Sequence, residues 1–393
     1  MKISIVCGGL STNGIARAWI LAQLLSRHYE VEALGWLRPG EQVWAGFADY
    51  PWKPVHAETM REAFAKTQRA VTGDVYLAYG LGVLSFGTGI LLKRRRGMPL
   101  ILDMPEWEAW DQFKRPGAAR RAMFIVRSLV GEGWSNPHSF KYRYVLDQLT
   151  GVADERLVCC EFLRERYGGM LLPQGTDTTH FDPARFDRRS LRRKWNLPED
   201  DTLVFFGGNP MPNKGLTETV AALNALDGRV NSRLVIAGRA DDSPYVRGLI
   251  EQGQGKVIVL GVQPFSAMPE LLATADLVVL HQQRDPKSRG YVPCKIYEAM
   301  AMEVPVISTA HSDVPKILDG CGYLVDSDDP AALQARIEHV LSHRDEAAER
   351  GRRARQRVIE RYSWAVMDGI LRDAVEGVLA SKGRRNARAR AVG

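Results

Sequence analysis

Between residues 277 and 309 the chain reads LVVLH, then a turn marked by Gly290 and Pro293, then helix formers at 295–302, then VPVIST. Ile296, Tyr297, Met300 and Ala301 recur at helical spacing, and Pro305 stops that helix. Strand, loop, helix and strand in that order make a βαβ unit. Its loop lies at the carboxyl edge of a parallel sheet, where open α/β folds bind ligands. The same short apolar run returns in RLVIAG and KVIVLG at the spacing of further βα units, so the expected fold class is α/β with a parallel sheet.

The helix behind Gly290 offers free backbone N–H groups and the positive end of a dipole, which suits a phosphate. Glu298 lies about one turn further along, where a carboxylate can accept hydrogen bonds from vicinal hydroxyls such as those of a ribose. The alternative is that Lys295 and Glu298 are an ordinary solvated pair at i, i+3.

A chain of 393 residues exceeds one ordinary core and is expected to form two or three domains. No apolar run reaches membrane-spanning length, and MKISIVCGG lacks the basic start of a signal peptide, so the reading is cytoplasmic. With five Cys, of which Cys159 and Cys160 are adjacent, neither a disulfide framework nor a metal site is expected. The net charge is +7, but Lys382, Arg384, Arg385, Arg388 and Arg390 sit in a tail without acids, and setting them aside leaves +2. Most of the basic excess is therefore a tail, expected to be disordered, and nucleic-acid binding is excluded as a function.

KISIVCGG at 2–9 is a buried strand that turns through Gly8, Gly9 and Gly14 into an amphipathic helix bearing Ile15, Trp19, Ala22 and Leu25. That glycine-rich turn either admits a ligand to the backbone or is a plain tight turn. VEALGW and DVYLAYG read as the next strands. A strand at 100–102 then ends on Asp103 and is followed by Glu106, Glu108 and Asp111, which are either site carboxylates or helix-start acids. At 114–130 a basic amphipathic stretch carries Arg120, Arg121 and Arg127. It lies either on an anionic membrane surface or in a core with a solvated basic edge; His138, after it, has no assigned role. RLVCCEFL is a further strand with a helix start, and LLPQGTDTTHFDP leads through a charged connection into a second domain. There a strand at 203–206 opens into a loop bearing Lys214, whose ammonium suits a diphosphate beside oriented amides.

Read whole, the chain resembles the retaining glycosyltransferases of the GT-B fold, family 4. The likeness is carried by LLPQGTDTTHFDP, FFGGNPMPNKGL, GVQPFSAMPELLATADLVVL and VPCKIYEAMAMEVPVIST, in the family's order. It implies two Rossmann-like domains facing across a cleft: an acceptor-binding domain at 1–185 and a nucleotide-sugar-binding domain at 186–365, followed by a C-terminal helix and basic tail at 366–393. It implies that Lys214 neutralises a donor diphosphate, that Glu298 holds the ribose, that the Gly290, Tyr291 and Val292 amides cradle the distal phosphate and that Val262 lies against the base. Gly9, Gly208 and Asn209 would approach the phosphates. Two positions depart from the family: Gly290 stands where a glutamate is common, and Asn209 where an arginine is common. Arg289 and Lys295 are the candidates to compensate for the missing charge. Asp103 and Glu106 are the candidates to position an acceptor hydroxyl. The implied donor is a UDP-, GDP- or dTDP-sugar, with no cofactor or metal. The implied acceptor is a sugar, a lipid-linked molecule or a small molecule, and peripheral contact with an anionic inner-membrane face goes with a lipid-linked one. A catalytically inert nucleotide-sugar-binding subunit is the alternative.

Overall fold

The computed structural model describes residues 1–108, 136, 139–226, 228–239, 243–284, 286–326 and 329–392. Asp111, the basic stretch at 114–130 and His138 lie outside them. The chain divides into two compact units. The first comprises Met1–Pro173, Arg289–Tyr291 and Met367–Gly393, and the second Gln174–Ser288 and Val292–Val366.

The first unit holds seven strands: β1 Lys2–Cys7, β2 Glu30–Leu37, β3 Lys53–His56, β4 Val75–Tyr79, β5 Leu100–Met104, β6 Glu155–Val158 and β7 Met170–Leu171. They form one parallel sheet in the order β3-β2-β1-β4-β5-β6-β7. The second unit holds β8 Thr202–Gly207, β9 Ser232–Ala237, β10 Val257–Gly261, β11 Leu277–Leu280, β12 Val306–Thr309 and β13 Tyr323–Val325. They too are parallel, in the order β10-β9-β8-β11-β12-β13. Two Rossmann-like α/β domains are therefore present, and in each the strand order reverses at one place: between β1 and β4, and between β8 and β11. A doubly wound sheet opens a crevice at that place, beyond the carboxyl ends of its strands.

The apolar runs become these strands because both faces of a parallel sheet are covered. In the second unit Val204 and Phe206, Leu234 and Ile236, and Leu277 and Val279 project to one shared core at a period of two.

The division between the units falls after Pro173, and the following segment packs inside the second unit: Phe181 is fully buried, Thr176 bridges Ser363, and Arg355 binds the Phe181 carbonyl and Asp182. The tail, expected to be disordered, is instead helical: one helix runs Trp364–Val392, sustained by a sequence rich in Ala and Arg. From Met367 onward it belongs to the first unit. No described helix is long and apolar enough to cross a membrane.

Candidate functional site

The helix Cys294–Ala301 buries Ile296, Tyr297, Ala299, Met300 and Ala301. Each large side chain so covered contributes roughly 1.5–3 kcal/mol, which fixes the roll of the helix and leaves Lys295 and Glu298 together on its half-buried side. Among the described residues they form no ion pair within 4 Å, though the charge of Lys295 acts on Glu298. Lys295 instead extends over Gly208, where an added Cβ would lie 2.8 Å from its Nζ. Gly208 has φ 140°, so both its backbone and its neighbour require glycine. The Glu298 carboxylate has no hydrogen-bond partner among the described residues. Burial pushes its pKa up, with the charge of Lys295 opposing.

Lys214 ends the turn Pro212–Lys214 and is half-buried. Gly215 follows with φ 68° and caps the helix Leu216–Ala225; a side chain there would overlap the His281 carbonyl. The Gln283 N–H donates to the Asn213 carbonyl at 3.2 Å, tying the loop after β11 to the turn before Lys214. Asn209 is exposed, and Val262 is 53% exposed just beyond β10, open to a flat apolar group. Val292 is fully buried, so its side chain belongs to the core.

Arg289, Gly290 and Tyr291 fall in the first unit, apart from Lys214, Lys295 and Glu298 in the second. The Trp107 N–H donates to the Gly290 carbonyl at 2.9 Å, and a Cβ on Gly290 would overlap that of Trp107. Glycine at 290 is thus required by Trp107 as well as by any phosphate. The Arg289 guanidinium lies 4.8 Å from the centre of the Phe162 ring, a cation–π contact. That contact leaves the exposed Arg289 guanidinium its N–H donors.

In the first unit the carboxylates part company. Asp103 is fully buried, and both its oxygens are held by Arg17, at 2.8 and 2.9 Å. Arg17 also donates to the Leu172 and Pro173 carbonyls. Asp103 therefore holds the fold together and is not open to an acceptor, which corrects its expected role. Glu108 accepts from the Leu81 N–H at 2.9 Å. Glu106 is half-buried and carries an interaction of its own. At the end of β1, a side chain on Gly8 would meet nothing within 4 Å and one on Gly9 only the Trp36 carbonyl at 3.7 Å, so packing does not demand glycine at either.

Sequence reasoning passed over Arg17, His281 and His311. The two histidines sit at the carboxyl ends of β11 and β12, and their strand-end positions were the signal that could have found them.

Residues 187–357 match the sequence profile of the family Glycosyl transferases group 1. Apart from Arg289–Tyr291, the match lies within the second unit. Similar curated proteins include an uncharacterized glycosyltransferase of Methanocaldococcus jannaschii, 28% identical over 193 residues, covering 48% of this chain and 47% of that protein. They also include the GDP-mannose-dependent alpha-(1-6)-phosphatidylinositol monomannoside mannosyltransferase of Mycobacterium tuberculosis, 27% identical, covering 52% of this chain and 55% of that protein. The chain thus spans about half the length of the curated relatives it matches. Among solved structures it resembles sucrose-phosphate synthase from Thermosynechococcus elongatus, with a TM-score of 0.72, 16% identity and coverage of 97% and 100%. It also resembles Anabaena HepE, solved in complex with UDP and glucose, with a TM-score of 0.71, 15% identity and coverage of 96% and 99%. These likenesses show the GT-B fold.

Proposed function

We propose that the chain is a retaining glycosyltransferase of family 4 that takes its sugar from a nucleotide-sugar donor bound at the carboxyl edge of the second sheet. The observation that carries this reading is Glu298: a desolvated carboxylate without a partner, one turn into a helix at that edge, is arranged to accept from a ribose diol. Lys214 and Lys295 supply charge beside the glycine turn at 207–208, Gly215 opens a helix N-terminus there, and Val262 offers an apolar face to the base. A cation held in place lowers the barrier as charge develops on the departing diphosphate. The acceptor oxygen bonds to the anomeric carbon on the face that the diphosphate leaves, and its proton passes to the leaving phosphate, so the configuration is retained. Gly9 serves the phosphates and Glu106 the acceptor hydroxyl.

The relatives support a glycan or glycolipid acceptor, since one is named for phosphatidylinositol monomannoside. A lipid-linked acceptor places the protein on the inner membrane face through its basic segments, and salt-sensitive sedimentation with anionic vesicles tests this.

Calorimetry with a panel of UDP-, GDP- and dTDP-sugars, followed by assays of transfer and hydrolysis, tests the reading. At least one donor binds and is turned over; if none binds, it falls. Binding without turnover favours the inert-subunit reading, for which the lack of a charge at Asn209 and the commitment of Gly290 to Trp107 speak.

A further inference from the structure

The proposed donor contacts leave two buried histidines unused. In the second sheet β8, β11 and β12 are neighbours, and their carboxyl ends lead in turn to Lys214 and Gly215, to His281, and to His311. His281 is fully buried with both ring nitrogens unpartnered, beneath the glycine that admits it. His311 is 8% exposed, and its Nε2 is buried without a partner. The adjoining Ser312 has φ 47°, and its hydroxyl is likewise buried and unpartnered. Leaving such atoms unpaired costs stability, which a structural role alone does not return.

The hydrogen bonds fix what Nε2 can do. The Thr309 hydroxyl donates to the Gln282 carbonyl at 2.8 Å, so its oxygen can only accept from His311. The His311 Nδ1 lies 3.1 Å from the Thr309 carbonyl and 3.3 Å from that hydroxyl oxygen. Both neighbours are acceptors, so Nδ1 carries the hydrogen and Nε2 presents a lone pair. Burial, with the charge of Lys214 adding to it, holds the pKa of the ring down at about 4, so it is neutral at pH 7. A neutral acceptor beside the diphosphate lysine has nothing to offer a phosphate oxygen. It suits an O–H.

We infer that His311 Nε2, at the end of β12 beside Lys214, accepts a hydrogen bond from a hydroxyl of the transferred sugar, making His311 a specificity-determining residue for the donor. The inference rests on the donor site proposed above. It separates the sugar from the nucleotide: Glu298 and Lys214 hold the nucleoside diphosphate, and His311 reads what is attached to it.

The test is titration calorimetry of the full chain with the nucleotide sugar that the wild type binds best and, separately, with its nucleoside diphosphate alone. His311→Asn keeps a side-chain N–H for the Thr309 carbonyl and deletes the acceptor, which makes it a gentle variant for the fold. His311→Gln places an amide group near the Nε2 position. His311→Asn is expected to weaken the nucleotide sugar about tenfold, the worth of one hydrogen bond, with the nucleoside diphosphate unchanged within about twofold. His311→Gln returns to within about threefold of wild type, and deoxy-sugar donors show the same loss at one ring position on the wild type only. Equal weakening of both ligands by His311→Asn, or of neither, overturns the inference. Lys214→Ala in the same series separates the two readings. If the wild type binds the nucleoside diphosphate and Lys214→Ala loses it, the donor-site reading stands whatever His311 does. If the wild type binds neither ligand, that reading falls and this inference with it.

Discussion

Glu32 is buried in the first unit and Glu298 half-buried in the second, and their carboxyl groups respond in opposite directions. Glu32, 8% exposed on β2, accepts from the Ser4 hydroxyl, from the Thr72 N–H and hydroxyl and from Lys53. Burial would raise its pKa, but those bonds win and hold it at about 2. Glu298 has no such bonds, and burial pushes it up. A carboxylate that folding has fully partnered is structural, whereas one left desolvated and unpaired is available to a ligand. The contrast extends to the two sheet edges. In the first unit Asp103 and Glu108 are consumed by Arg17 and Leu81, and in the second unit His281 and His311 are left with buried unpaired ring nitrogens.

The largest break in that contrast is Asp103→Asn. It leaves the Arg17 guanidinium, only 4% exposed, without its counter-charge, and the expected loss of stability in urea unfolding is about 3–5 kcal/mol. A loss under about 1 kcal/mol would mean that Asp103 is not the structural anchor of the first unit. Next comes Lys214→Ala, which is expected to slow turnover on the order of a hundredfold or more while stability stays within roughly 0.5 kcal/mol of wild type. Steady-state kinetics beside thermal unfolding separates the two effects, and wild-type rates would remove Lys214 from the diphosphate.

Acid titration sharpens the comparison further. The pKa of Glu32 is about 2 in the fold against 4.5 ordinarily, so its contribution is complete above 4.5 and is lost as pH falls toward 2. At about 1.36 kcal/mol per unit this is on the order of 3 kcal/mol. Glu32→Gln is expected to flatten the acid limb of the stability curve in that window, and an unchanged limb would show that the network does not hold the charge.

How much of this was legible in the chain follows from what kind of signal each part leaves. Strands such as LVVLH and VPVIST were readable because burial on both faces writes continuous apolar runs, and the intervening helix because its stops are Gly and Pro. The placement of Lys214 in a βα turn, and of Lys295 and Glu298 on the helix after such a loop, was readable from the strand-loop-helix pattern around them. The role of Asp103 was not, since its partner Arg17 lies far away in sequence, on a helix whose apolar pattern gives no hint of a buried cation. Gly290 was read as a loop glycine serving phosphate, because its contact with Trp107 is long-range and leaves no local mark. His281 and His311 were missed for a related reason: an unpaired ring nitrogen is a property of packing, and only the strand-end position is written in sequence.

The finest test of the contrast is Glu298→Gln, because it should move stability and affinity in opposite directions. A group whose pKa is raised by folding penalises the native state once ionised, and that penalty appears as pH rises above the ordinary 4.5. Glutamine has no charge to desolvate, so at pH 7 the variant is expected to be as stable as wild type or up to about 1 kcal/mol more so. Its amide oxygen still accepts, but a neutral acceptor holds a diol less strongly than a carboxylate does, and affinity for the nucleoside diphosphate alone is expected to fall about tenfold. The wild type should show the same dependence through pH: nucleotide affinity weakens as pH falls through the raised pKa of Glu298, because the protonated carboxyl loses its charge-assisted bonds. In Glu298→Gln that pH dependence disappears. A variant that binds nucleotide as tightly as wild type, with the same pH profile, would make Glu298 a tolerated desolvated acid and not a ligand, and the contrast with Glu32 would then concern stability alone.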